Sequence, residues 1–136
     1  MQLRKMTMQE RELTVYLNED YHAYNQVKAL TSVQKTNFQL IADLGDSNDE
    51  LLAQINTYDD RIVKLKELIM ERRIMKEDMF REMPENIKSV MQMHYLSYMT
   101  FEEIAEELHY HVSTVKRAHL SGLEFVSDYM RRQKND

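Results

Sequence analysis

From about Met8 to Leu44 the chain contains neither proline nor glycine, and apolar residues recur three or four positions apart: Leu13, Leu17, Tyr21, Tyr24, Val27, then Phe38, Ile41 and Leu44. That spacing puts them on one face of a helix with 3.6 residues per turn. The stripe thins between Thr31 and Thr36, where β-branched and short polar side chains cluster, so the pattern predicts a kink or a break there. Gly45 offers the left-handed residue that ends a helix, and Asp46, Ser47 and Asn48 make a short connection. Ser47-Asn48-Asp49-Glu50 has the form of a capping box, in which hydroxyl and carboxylate satisfy the first free N–H groups of a new helix. Beyond it Leu51, Ile55, Tyr58, Ile62, Leu65 and Ile69 alternate steps of four and three, a coiled-coil seam. The pattern then loosens into Met75, Met79, Phe80 and Met83 before Pro84 stops it. Two long amphipathic helices with so short a connection pair antiparallel, so residues 1–83 are expected to form a helical hairpin.

After Pro84 the elements shorten. Pro84 suits the first turn of a helix over about Glu85 to Leu96, with Ile87, Val90, Met91 and His94 or Tyr95 on one face. Thr100-Phe101-Glu102-Glu103 is a second capping box and opens a helix of about two turns, whose buried side is Ile104, Ala105 and Leu108. The small side chain of Ala105 lets another helix cross closely. His109-Tyr110-His111 separate it from a further helix in which Val115, His119, Leu123 and Val126 share a face. A short helix, a turn of three residues and a longer helix make a helix-turn-helix, whose second helix enters the major groove of DNA. Residues 84–136 are thus expected to be a DNA-binding domain within an all-α chain.

Composition agrees with this reading and narrows it. Two glycines and one proline in 136 residues leave few turns, and helix formers dominate. The absence of cysteine removes disulfides and thiolate metal sites and suggests no oxidising compartment, so a cytoplasmic location is expected. Arg4, Lys5 and Arg11 near the start are followed by no apolar run, which argues against a signal peptide or membrane span. The net charge of −5 opposes phosphate binding on its face, but its distribution matters more. Between Val112 and Lys134 stand Lys116, Arg117, Arg131, Arg132 and Lys134 against only Glu124 and Asp128, a basic surface inside an acidic chain.

Thr100 to Leu108, followed by Ser113-Thr114-Val115-Lys116-Arg117, resembles region 4 of the sigma-70 factors. The match is closer to small phage-associated regulators of the RinA/ArpU late-gene activator type, which carry a turn similar to Leu108-His109-Tyr110. It covers about Glu85 to Val126. The resemblance implies a transcription regulator of phage or prophage genes that works at a promoter with RNA polymerase. Two departures stand out: His109 where sigma-like motifs usually have Gly, and His111 where they have a Ser N-cap, His being the poorer cap. Gly122 inside the recognition helix is expected to cost roughly 1 kcal/mol relative to Ala.

With Val115 and His119 facing inward, the outward arc of that helix should carry Ser113, Thr114, Lys116 and Arg117, with Leu120 and Ser121 one turn on. Arg can contact guanine with two hydrogen bonds and Thr can offer its methyl to thymine. Lys116, Arg131, Arg132 and Lys134 are candidates for phosphate, which positions without specifying. The partners expected are double-stranded DNA, RNA polymerase and a second copy of the chain held through the N-terminal helices. His94, His109 and His111 lack carboxylates or thiolates at ligand spacing, so no metal and no cofactor is expected, and His94 and His119 read as core residues. The methionines also read as core. Phosphate-binding loops, nucleophile elbows and zinc-protease motifs are missing, and Glu102, Glu103, Glu106 and Glu107 fall on a solvated face, so an enzyme is not expected. The competing functions are a protein–protein adaptor without DNA binding, and a DNA-packaging initiator of small-terminase type.

Overall fold

The computed structural model describes residues 3–44 and 49–134, and the described residues hold six helices and no strand. In chain order these are α1 (Met8–Leu17), α2 (Glu19–Leu44), α3 (Asp49–Phe80), α4 (Glu85–Tyr95), α5 (Phe101–Leu108) and α6 (Val112–Lys134). The all-α expectation holds. The capping signals at Gly45 and Ser47 lie outside the described residues.

The break in the first long helix falls at Asn18 and not between Thr31 and Thr36. α1 begins at a capping box formed by Thr7 and Glu10 and ends where the N–H of Asn18 turns back to the Thr14 carbonyl at 3.1 Å. α2 then runs unbroken through Thr31–Thr36. Its thin apolar stripe has another cause: the packed face of α2 is Ala23, Val27, Leu30, Gln34, Asn37 and Ile41, in alternating steps of four and three, and two of those six are amides. Tyr21 and Phe38, expected inward, are 44% and 55% exposed.

The chain divides into two compact units: Met1–Glu19 with Arg73–Asp136, and Asp20–Arg72. α1 and the last turns of α3 belong with the C-terminal helices in the first of these units.

In the unit of Asp20–Arg72, α2 and α3 form an antiparallel hairpin. Gln34 on α2 donates from Nε2 to the Ile55 carbonyl at 2.9 Å and to Asp59 Oδ1 at 2.7 Å, positions about equally far from the connection. The heptad seam of α3 is confirmed position by position: between Leu51 and Ile69 only Leu51, Ile55, Tyr58, Ile62, Leu65 and Ile69 are buried or half-buried.

The other unit has a continuous core in which Leu13 and Leu17 of α1, Met79, Phe80 and Met83 at the end of α3, Met91 and Tyr95 of α4, and Leu123 and Val126 of α6 meet. A second cluster, Val90, Ile104, Ala105 and Val115, locks α5 between α4 and α6. Gly122 sits at the crossing of α4 and α6, where a Cβ would meet the buried Met91 side chain and oblige it to shift. The cost of its low helix propensity is set against the close approach that the missing side chain allows. Lys76 continues the α3 heptad into this core and is 1% exposed. Its Nζ donates to the Tyr95 carbonyl at 2.7 Å and to the Leu17 carbonyl at 3.3 Å, so one ammonium satisfies the C-terminal ends of α4 and α1. Its cation also lies 5.6 Å from the centre of the Tyr98 ring, where the backbone takes the left-handed φ of 57°.

Candidate nucleic-acid interface

The turn that aims α6 is built from local signals. Thr100 Oγ1 accepts the Glu103 N–H at 3.1 Å and Glu103 Oε1 accepts the Thr100 N–H at 3.0 Å, which fixes the start of α5. Those contacts hold the Glu103 carboxyl below its ordinary range. At the other end His109 adopts the left-handed conformation, φ 57° and ψ 42°, where sigma-like motifs carry glycine. Histidine is among the non-glycine residues that reach this region most readily. The N–H of Tyr110 returns to the Ala105 carbonyl at 2.9 Å, and α6 starts with the His111 carbonyl accepting from Thr114 at 3.0 Å and Val115 at 3.2 Å.

Behind α6 lies a buried aromatic group. His94 stacks on Phe101 with ring centres 4.4 Å apart, and its Nδ1 donates to the Met99 carbonyl at 2.7 Å. His119 meets Tyr95 through a 2.6 Å contact between Nε2 and the phenol oxygen, and its ring stands edge-on to His94 at 5.4 Å. Burial lowers the pKa of both histidines, and the neighbouring His94 helps bring that of His119 down to about 4. Burial pushes the Tyr95 phenol up. Both rings therefore sit neutral in the core, as expected of His94 and His119. They join α4, α5 and α6 through ring contacts with Tyr95 and Phe101.

On the outer side, Thr114, Arg117 and Ser121 line one open groove of about 390 Å³ with Asn86 and Ile87 from the first turn of α4, Tyr110 from the turn, and Ala118. Thr114 and Arg117 are exposed and Ser121 is half-buried. Ser113 and Lys116 are half-buried beside this arc. Leu120, expected outward, is only 9% exposed. It lies on the side of α6 that α1 covers, where Gln9 Nε2 donates to Ser127 Oγ at 3.3 Å and Arg4 reaches Glu124 at 3.2 Å.

Arg4 also grips Glu10 with both nitrogens, at 2.6 and 2.7 Å, and this holds the Glu10 carboxyl down at about 2. The N-terminal segment is thus fastened to α6 by charge as well as by Leu13 and Leu17.

Arg131 and Arg132 do not join the Arg117 cluster. Fourteen residues of helix put Arg131 about 21 Å along the axis from Arg117. Arg131 is paired to Asp128 at 2.9 Å, and Arg132 lines a separate cavity with Asp78, Glu82 and Tyr129. Asn86 and Tyr110 escaped the sequence reading. Tyr110 was visible as part of the turn, but nothing in the spacing of α4 says that its first turn faces the outer side of α6.

The model of the family described as sigma-70, region 4, matches residues 77–124, from the last turn of α3 to the middle of α6. No curated protein and no solved structure matches the chain. Over residues 77–124, about a third of the chain, the protein is similar to sigma-70 region 4, and α5, the turn and α6 form a helix-turn-helix there. No described helix is long and apolar enough to cross a membrane.

Proposed function

We propose that this protein is a sequence-specific DNA-binding transcription regulator whose reading head is the N-terminal end of α6. The observation that carries the reading is the convergence of Thr114, Arg117 and Ser121 on one outward groove, on a helix whose start is set by a capped α5 and a left-handed turn. In this reading Arg117 and Thr114 touch base edges, with Ser113 and Ser121 beside them, and Lys116 meets phosphate. Arg131 and Arg132 serve a more distant stretch of backbone. Support for action with RNA polymerase, at promoters of phage or prophage late genes, comes from the resemblance of the motif.

One such motif gives a small footprint, so a second copy joined through the N-terminal helices would supply a second half-site at a spacing set by the two-fold axis. Val33, Phe38, Leu40 and Val63 are large apolar side chains left exposed on the α2–α3 hairpin and fit that use. The test is Arg117→Ala. Loss of a bidentate base contact worth about 1–3 kcal/mol lowers affinity for the selected sequence roughly tenfold to a hundredfold and leaves binding to random duplex nearly unchanged. A variant that discriminates as well as the parent, with an unaltered circular-dichroism spectrum, contradicts this role for Arg117.

A further inference from the structure

A recognition helix is about 10–12 Å across and the major groove about 12 Å wide, so a helix seated there meets a phosphate backbone on each flank. Which groups of this chain meet the two strands can be taken from the way α6 is surrounded. Thr114 and Ser121 lie on the flank that faces the first turn of α4 and the turn residue Tyr110. Lys116, two residues from Thr114, lies about 200° further around the helix at 3.6 residues per turn, on the opposite flank.

We propose that Asn86 and Tyr110 form a phosphate clamp for one DNA strand, and that Lys116 holds the other strand. The proposal rests on the DNA-binding reading above and adds to it the two residues no motif singles out. Tyr110 is 46% exposed, and its position is fixed by its own N–H bond to Ala105 and by the left-handed residue before it. Asn86 is exposed and lines the same groove, two residues after Pro84 sets the start of α4. Both side chains are hydrogen-bond donors, a phenol and an amide, suited to phosphate oxygens of the strand on that flank. Because neither carries charge, neither releases a counterion on binding, whereas Lys116 does. The clamp therefore separates from the lysine by its salt dependence as well as by strand.

The experiment uses the full chain and the duplex it selects best from a random pool, with Tyr110→Phe, Asn86→Ala and Lys116→Gln. Each variant is titrated at several salt concentrations and mapped by phosphate-ethylation interference. Tyr110→Phe and Asn86→Ala should each weaken binding about five- to tenfold on every duplex, with base preference and salt slope unchanged, and erase interference at phosphates of one strand. Lys116→Gln should flatten the salt slope by about one and erase interference on the other strand. Parental affinity for Tyr110→Phe and Asn86→Ala, or loss of interference on the strand that Lys116 holds, overturns the clamp and leaves the DNA-binding reading standing. A chain that selects no sequence removes both.

Discussion

The two units of this chain are both helical, yet they bury different chemistry. The unit of Met1–Glu19 and Arg73–Asp136 packs Phe80, Val90, Met91, Ile104, Val115, Leu123 and Val126 to full burial, and its buried polar groups Lys76 and His119 have named partners. The unit of Asp20–Arg72 has only Ala23 and Ile55 as buried hydrophobics among its described residues, and places Gln34 and Asn37 in the seam. There Gln34 Oε1 and Asn37 Nδ2 are buried without a hydrogen-bond partner. A polar atom left unpaired in the interior costs about 1–3 kcal/mol, whereas a paired one is nearly neutral or favourable. The difference teaches that one unit is built as a rigid seat for α6, and the other as a weaker hairpin with apolar side chains to spare.

The sharpest way to break the contrast is to remove a satisfied group from the rigid unit. Lys76→Ala strips the buried carbonyls of Leu17 and Tyr95 of their donor and opens a cavity, so stability should fall by about 3–5 kcal/mol. The midpoint of urea denaturation checks this, and a loss below about 1 kcal/mol would show that the ammonium does not join the helix ends.

Acid acts on the same unit through His119. Its folded pKa, about 4, lies below the ordinary 6.5. The stabilisation is therefore complete above pH 6.5 and is lost as pH falls toward 4. That loss amounts to about 3 kcal/mol, since each tenfold weakening of proton binding in the folded protein corresponds to roughly 1.4 kcal/mol. His94, also lowered by burial, adds in the same direction. Denaturation at pH 7.5, 6 and 4.5 should show the decline, and His119→Gln should flatten it; an equal slope in the variant would remove His119 as its source.

In the hairpin the expected sign reverses. Asn37→Leu replaces an amide whose buried Nδ2 is unpaired by an apolar side chain and should raise stability by about 1–2 kcal/mol, read as greater amide-exchange protection in α2 and α3. Lower protection would mean that Asn37 has a partner in solution. The smallest effect belongs to His109→Gly, which relieves a left-handed residue and should stabilise the domain by no more than about 1 kcal/mol, read from the thermal midpoint, with the DNA sequence preference unaltered.

Apolar periodicity and capping chemistry carried most of the fold. The α3 seam from Leu51 to Ile69, the capping box at Thr100 and the inward face of Val115, His119, Leu123 and Val126 were all legible, because each is local and repeats at the helical period. Polar residues at seam positions were not. Gln34, Asn37 and Lys76 keep the heptad but break the hydrophobic pattern, so α2 read as interrupted where it is continuous, and Lys76 went unnoticed. Leu120 was misplaced because the packing of α1 on its side of α6, seen at Glu124 and Ser127, joins segments more than a hundred residues apart. Asn86 joined the candidate site only once α4 was seen beside α6.

The central claim is that the exposed arc at the start of α6 reads DNA sequence, and the most direct measurement is selection of bound duplexes from a random pool by the intact chain at two salt concentrations. One enriched motif should emerge at both, and Arg117→Ala should lose preference at one position within it. If no motif is enriched and binding disappears as salt rises, only nonspecific attraction to phosphate is left and the claim is contradicted.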